Sequence, residues 1–307
     1  VTVTAIGGWS SASSTTSGGG AAGTIFELHG VWSVLRLDNG FSTAADDTKT
    51  PLPLDVVGTS SSSSTHHGPV VWAVIQSRVH VELRGAVGSG AAFHVWYLCL
   101  SSDSTIVGNK IILHFHKATF YGDVVSSSSL VSLNSTVQGW PTTEVESKEL
   151  SELMVAESCA LTCASGSINL DLSGRAVVQG SLMASTISAE AIENIQFASS
   201  STLSATGSSV SLRSKRKSLL LEGSVDCTGS ECAMSAIGGT TMFVSGSMSC
   251  TSYKCSLEFS SNMSVYFTGN VDGSGDFSTV DVSSGDVWIG SDSTISASSI
   301  SMYVVRS

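Results

Sequence analysis

Beginning at Gly223 the chain reads GSVDCTGSECAMSAIGGTTMFVS, and beginning again at Gly246 it reads GSMSCTSYKCSLEFSSNMSVYFT. Two cysteines return at matching places, with apolar pairs around them in the same order. A third copy from Gly269, GNVDGSGDFSTVDVSSGDVWI, keeps the apolar pattern and drops the cysteines. A period of ~20–23 residues means that no unit can bury its own hydrophobic face, so each must stack on its neighbours.

Each unit holds three apolar-x-apolar bursts separated by Gly/Ser/Asp-rich turns. The first runs Leu182-x-Ala184, Leu203-x-Ala205, Val225-x-Cys227, Met248-x-Cys250 and Val271-x-Gly273. The second runs Ile187-x-Ala189, Val210-x-Leu212, Cys232-x-Met234, Cys255-x-Leu257 and Val280-x-Val282. The third runs Ile195-x-Phe197, Leu219-x-Leu221, Met242-x-Val244, Val265-x-Phe267 and Val287-x-Ile289. Alternation within a burst marks a short strand with one face inward. Strands this short do not survive as isolated hairpins. Stacked in register they give an all-β fold, a parallel β-helix of ~20–23-residue coils, each rising by roughly 4.8 Å. A sandwich of short antiparallel strands is the competing reading. Recurrence of all three bursts with the cysteines in phase favours the solenoid over residues 156–307. Ile195, Leu219, Met242, Val265 and Val287 are expected in one inward column.

The stretch before the solenoid reads differently. Residues 1–24 form an arm that is Gly/Ser/Thr-rich from 7 onward. Residues 25–125 form a β-rich module, either a sandwich or irregular wider coils capping the solenoid. Its strand candidates are Ile25–Leu37, Val70–Leu83, Ala92–Leu100 and Asn109–Phe120. Residues 126–155 are a junction, in which Thr142–Ala156 reads either as a short amphipathic helix or as a coil with an unusual loop. The serine runs at 60–64 and 126–129 read as loop punctuation.

Composition limits the partners. Charged residues are 13% of the chain, about half the usual share, and serine alone is roughly a fifth. The net charge of −11 excludes nucleic acid as a partner chosen by electrostatics, which demands a basic face. No apolar run reaches the ~20 residues of a membrane span. A start at Val1 without an initiator methionine points to a mature form or a fragment.

Six of the seven cysteines fall in three close pairs, Cys159/Cys163, Cys227/Cys232 and Cys250/Cys255, leaving Cys99. Each pair is expected as a disulfide. For the last two, closure within a coil competes with links between coils, and the repeated spacing favours closure within the coil. Zinc is disfavoured because C-x4-C lacks the usual C-x2-C turn. Asn134-Ser-Thr and Asn262-Met-Ser are glycosylation sequons. Together with paired cysteines they place the chain outside the cell or on its surface.

The basic run Arg213, Lys215, Arg216 and Lys217 lies between a second and a third burst, hence in a turn. It is a candidate contact for an acidic glycan or another subunit, or else a solvated loop. Asp272, Asp276, Asp281, Asp286 and Asp292 lack calcium-loop spacing and read as solvated turn residues. His66-His67 and His114/His116 have no third ligand near in sequence, and no nucleophile elbow appears. No cofactor, metal or catalytic residue is expected.

The three-burst coil resembles the right-handed parallel β-helix superfamily of pectin-lyase-like enzymes, tailspikes and surface adhesins. Its polysaccharide-cleaving members set carboxylates beside Lys or Arg on one exposed sheet. Here Asp226, Asp272 and Asp281 are outward, without a neighbouring outward base, while Ser204, Ser211, Ser249 and Ser256 fill comparable places. The expected function is therefore a non-enzymatic structural subunit of an extracellular fibre, appendage or surface layer. It would assemble with copies of itself through solenoid ends and lateral contacts, with covalent glycans on its surface. The alternative is a carbohydrate-binding or carbohydrate-cleaving β-helix, with Trp288 near Asp286 and Asp292 as its best local candidate. An ice-binding solenoid ranks last, because the repeats supply serine irregularly.

Overall fold

Three ladders of parallel strands wind up one axis, and each strand is short because it must turn a corner after a few residues. The computed structural model describes residues 2–6, 23–29, 32–38, 49–53, 70–76, 79–84, 91–135 and 151–304. Among these residues every regular element is a strand. A parallel β-solenoid of about nine turns spans residues 73–304.

The first face stacks Leu161, Leu182, Leu203, Val225, Met248, Val271 and Ile295, whose spacings run from 21 to 24 residues. The second stacks Ile168, Ile187, Val210, Met234, Leu257, Val280 and Ile300. The third stacks Leu153, Ala176, Ile195, Leu219, Met242, Val265 and Val287, which contains the expected column. Burial alternates along the strands between corners up to the terminal coil, as in Leu182 buried, Met183 exposed, Ala184 buried. Inward residues of the three faces meet in one apolar core that runs the length of the solenoid. Each fully buried Val, Leu or Phe contributes about 1.5–3 kcal/mol. That gain exists only because the coil above and the coil below are present.

The glycine that opens each repeat has a steric reason. A Cβ on Gly246 would collide with the Gly223 carbonyl, and one on Gly269 with the Gly246 carbonyl. Both sit at the corner from the third face to the first, where successive coils pack backbone against backbone. The ladder bonds Ser247 N–H to Gly223 O (3.1 Å) and Asn270 N–H to Gly246 O (3.0 Å) fix that approach.

The described strands of residues 32–134 belong to the same parallel ladders. On the third face Leu35 and Leu37 stack on Ala73 and Ile75, then Leu98 and Leu100, Ala118 and Phe120, and Leu153 and Val155. Of the two readings of this module, its described strands from residue 73 onward match the irregular coils. At the N-terminal end Gly23–His29 pairs antiparallel with Trp32–Asp38, and Thr2–Ile6 antiparallel with Gly23–His29. The Gly/Ser-rich stretch 7–22 and the serine run 60–64 lie outside the described residues.

Two expectations for the junction change. The serines at 126–129 are no loop; they lie inside the strand Asp123–Asn134, where it turns from the first face to the second. Small side chains suit that turn, and Ser126 Oγ donates to the Asn109 carbonyl (2.6 Å). Of the segment read as helix or coil, residues 142–150 lie outside the described residues. Its end, Glu152–Val155, is a third-face strand.

Candidate functional site

The cysteines occupy two different places in the coil. Cys227 ends a first-face strand and Cys232 opens the second face, so the pair flanks the turn. They are disulfide-bonded with Cα atoms 6.2 Å apart, and Cys250–Cys255 repeats this one coil on at 6.1 Å. Cys227 stacks on Cys250 and Cys232 on Cys255, so closure is within each coil.

Cys159 and Cys163 are not bridged, contrary to expectation; both are buried free thiols. Four residues along an extended run separate their Cα atoms by about 13 Å, well beyond the ~4.4–6.8 Å a disulfide spans. Burial and the nearby Asp123 carboxylate push the Cys159 thiol up to about 12. Cys99 points outward from the third face, half-buried, and burial raises its thiol as well.

The basic run turns the corner between the second and third faces, above acidic residues of the preceding coil. Arg213 lies 3.9 Å from Glu190, Lys215 also pairs with Glu190, and Lys217 sits 2.6 Å from Glu193. Arg216 makes no ion pair among the described residues. Coil-to-coil pairing thus occupies three of the four cations expected to meet a glycan or a subunit. Surface pairs of this kind contribute about 0–1 kcal/mol each.

The remaining candidates stand apart from one another. Asn262 is exposed at a second-to-third-face corner, with its Nδ2 donating to the Gly239 carbonyl (2.6 Å). Asn134 is half-buried at a strand end and accepts a bond from Ser132 Oγ (3.3 Å). Ser135 of its sequon is buried and bonded to Ser151 Oγ (2.9 Å). Asp226 and Asp272 lie two coils apart in one outward column, and Ser296 Oγ donates to Asp272 (2.9 Å). His116 stacks on Trp96 (4.4 Å between ring centroids). His66 and His67 lie outside the described residues. No group of three or more metal-ligating side chains occurs among the described residues, and they contain no helix long and apolar enough to cross a membrane.

What joins into a surface is a column that the bursts concealed. The middle residues of the third bursts are Gln196, Leu220, Phe243, Tyr266 and Trp288, one above another on the outside of the third face. The Phe243 and Tyr266 rings stack at 4.8 Å and 10°, and Tyr266 and Trp288 lie 6.3 Å apart at the same tilt. Rings that face one another along the axis show their edges outward. A sugar-binding platform needs open ring faces, and only Trp288, 61% exposed, ends the stack with a free one. Reading the letter between the apolar pair of each third burst would have shown this column. Asp286 shares the Trp288 strand, while Asp292 sits in the next turn.

The terminal coil is the second such surface. Val287, Ile289, Ile295, Ile300, Met302 and Val304 continue the inward columns, yet none is fully buried. Asp286 N–H donates to Met263 O and Gly290 N–H to Phe267 O, each at 2.7 Å. Alternation along a parallel strand therefore turns the N–H groups of Val287 and Ile289 toward the open edge. No family model, no curated protein and no solved structure matches this chain.

Proposed function

We propose that this chain is a structural rod of an extracellular assembly, a subunit that builds a fibre, appendage or surface layer with copies of itself. One observation carries the reading: among the described residues the apolar columns reach the coil that ends at Val304 with no strand layer upon them, so a second copy, or more of the same chain, would continue them. Ile289 and Val304 are about half exposed, beside N–H groups of Val287 and Ile289 that no described strand meets. Such an edge is a template for another strand layer. The opposite end differs. Its first-face edge strand Lys49–Pro53 contains Pro51 and Pro53, and a ladder admits proline where the missing donor faces away from the neighbour. On the third face the antiparallel strands Gly23–His29 and Thr2–Ile6 cover the parallel ladder. The two described ends are therefore unequal, and in this reading the coil that ends at Val304 is the one that carries the next layer.

The two corner disulfides support an oxidising, extracellular setting. Exposed Asn262 is the better placed of the two sequons for a glycan. The likeness to right-handed parallel β-helix proteins belongs to this proposal as architecture alone, since three faces per coil are common to structural and cleaving members. In this reading the chain has no catalytic role.

Electron microscopy of the purified chain across a concentration series tests it. Wild type should form end-joined rods, while Ile300→Lys with Met302→Lys, or Ile289→Pro, should leave particles no longer than one solenoid, with unchanged circular dichroism. Single rods of wild type at every concentration would contradict the proposal.

A further inference from the structure

The aromatic stack is the C-terminal third of a longer spine. From Val74 the outward residue of each third-face strand pairs in turn with Cys99, Thr119, Met154, Val177, Gln196, Leu220, Phe243, Tyr266 and Trp288. Ten successive strands thus place an uncharged, mostly apolar residue on one outer line. The neighbouring outward column begins with Trp72 and Tyr97 and is polar beyond them: Lys117, Glu152 and Arg175, then Thr241, Ser264 and Asp286. The first and second faces offer nothing similar. Their outward lines read Thr202, Ser224, Ser247, Asn270, Thr294 and Thr186, Ser209, Ala233, Ser256, Thr279.

We infer that the third face is a lateral interface, and that its occupant is the third face of a second copy lying antiparallel. This rests on the self-assembly reading and names a contact which that reading leaves open. Nine intervals of ~4.8 Å make the spine about 43 Å long. A strip ~15 Å wide then buries roughly 650 Å² per copy, about 1,300 Å² in all, inside the range of specific protein interfaces. An apolar line with a polar flank has the layout of such interfaces.

Side-chain size decides the direction. One half of the spine is small, with Val74, Cys99 and Thr119, and the other is large, with Phe243, Tyr266 and Trp288. Parallel pairing would set Trp against Trp at one end and Val against Val at the other, forcing the rods to splay. Antiparallel pairing about an axis between Val177 and Gln196 sets Val74 against Trp288, Cys99 against Tyr266 and Thr119 against Phe243. The gap is then even along the whole spine. Lys117 falls opposite Thr241 and Tyr97 opposite Ser264, so like charges do not meet there.

The test uses the full chain carrying Ile300→Lys and Met302→Lys, so that end-joining cannot contribute. Analytical ultracentrifugation should give a dimer of the 31.6 kDa chain. Adding Val177→Lys with Leu220→Lys should raise the dimer dissociation constant at least about a hundredfold, with unchanged circular dichroism. A short bis-maleimide should leave the native-cysteine chain uncrosslinked, because antiparallel copies hold their Cys99 thiols seven coils apart. The same reagent should give a covalent dimer once Tyr266→Cys is added, opposite Cys99. A monomer at tens of micromolar, a dimer indifferent to the two lysines, or crosslinking through Cys99 alone would each overturn the inference. Loss of this dimer while wild type still forms end-joined rods sinks the lateral contact only. A dimer without rods sinks the end-joining only.

Discussion

The third face and the first two faces are built from the same coil and differ in what they turn outward. All three bury an unbroken apolar column, with Leu219, Met242 and Val265 on the third face matched by Leu203, Val225 and Met248 on the first. Outside, the first and second faces carry Ser, Thr, Asn and Asp, whereas the third carries a second apolar line. The inward column holds the fold together. An outward apolar line contributes only modest cross-strand contacts to the fold, and its persistence over ten strands is what the proposed lateral contact rests on.

Substitutions separate these roles, and the largest effect should come from the inside. Phe267 is fully buried, and Phe267→Ala should cost about 3–5 kcal/mol, read as a lower denaturant midpoint. The buried thiol gives the next effect, through pH. The Cys159 thiol stays protonated in the fold up to about pH 12, while the unfolded chain gives up the proton near its ordinary value. The folded state therefore holds more protons between those limits, and stability falls there by about 1.4 kcal/mol per pH unit. Cys159→Ala should flatten that alkaline slope in denaturant melts; an equal slope in wild type and variant would contradict the assignment.

The corner disulfides come third. Each closes a six-residue loop and contributes about 2 kcal/mol in the chain-entropy account. Reducing both should lower the thermal midpoint and leave far-ultraviolet circular dichroism unchanged below it. On the outer line of the third face, Tyr266→Ser removes stacking of about 0.5–1.5 kcal/mol. That variant should weaken lateral self-association severalfold, without abolishing it, and with little loss of stability. Smallest of all, Ser204→Ala with Ser211→Ala on the hydroxyl faces should stay within about 0.5 kcal/mol of wild type and associate normally.

The sequence revealed the fold where coil length is nearly constant. From Leu161 to Ile295 the spacing drifts by only three residues, so the first and third bursts could be aligned by eye; the second bursts slip by two residues, since Val210 pairs with Met234 rather than Cys232 and Val280 with Leu257 rather than Cys255. Before that, third-face partners Leu35, Ala73, Leu98, Ala118 and Leu153 are 38, 25, 20 and 35 residues apart, and no period survives such excursions. Cysteine spacing misled for a related reason. Five residues around a turn bring Cys227 to Cys232, while four residues along a strand hold Cys159 from Cys163. The basic run looked like a binding patch because Glu190 and Glu193, its partners, lie a full coil earlier in the chain. The outer spine was present letter by letter in the third bursts, hidden because attention to inward residues passes over the one between them.

The most direct test measures how far the ladders climb. Thr162 and Ser296 lie 134 residues apart in sequence and six coils apart in one outward column of the first face. Spin labels on Thr162→Cys and Ser296→Cys, in a Cys99→Ser background diluted with unlabelled chain, should give one narrow distance near ~29 Å by pulsed electron resonance. A broad distribution, or a peak below about 20 Å or above about 40 Å, would contradict stacking at one strand spacing per coil.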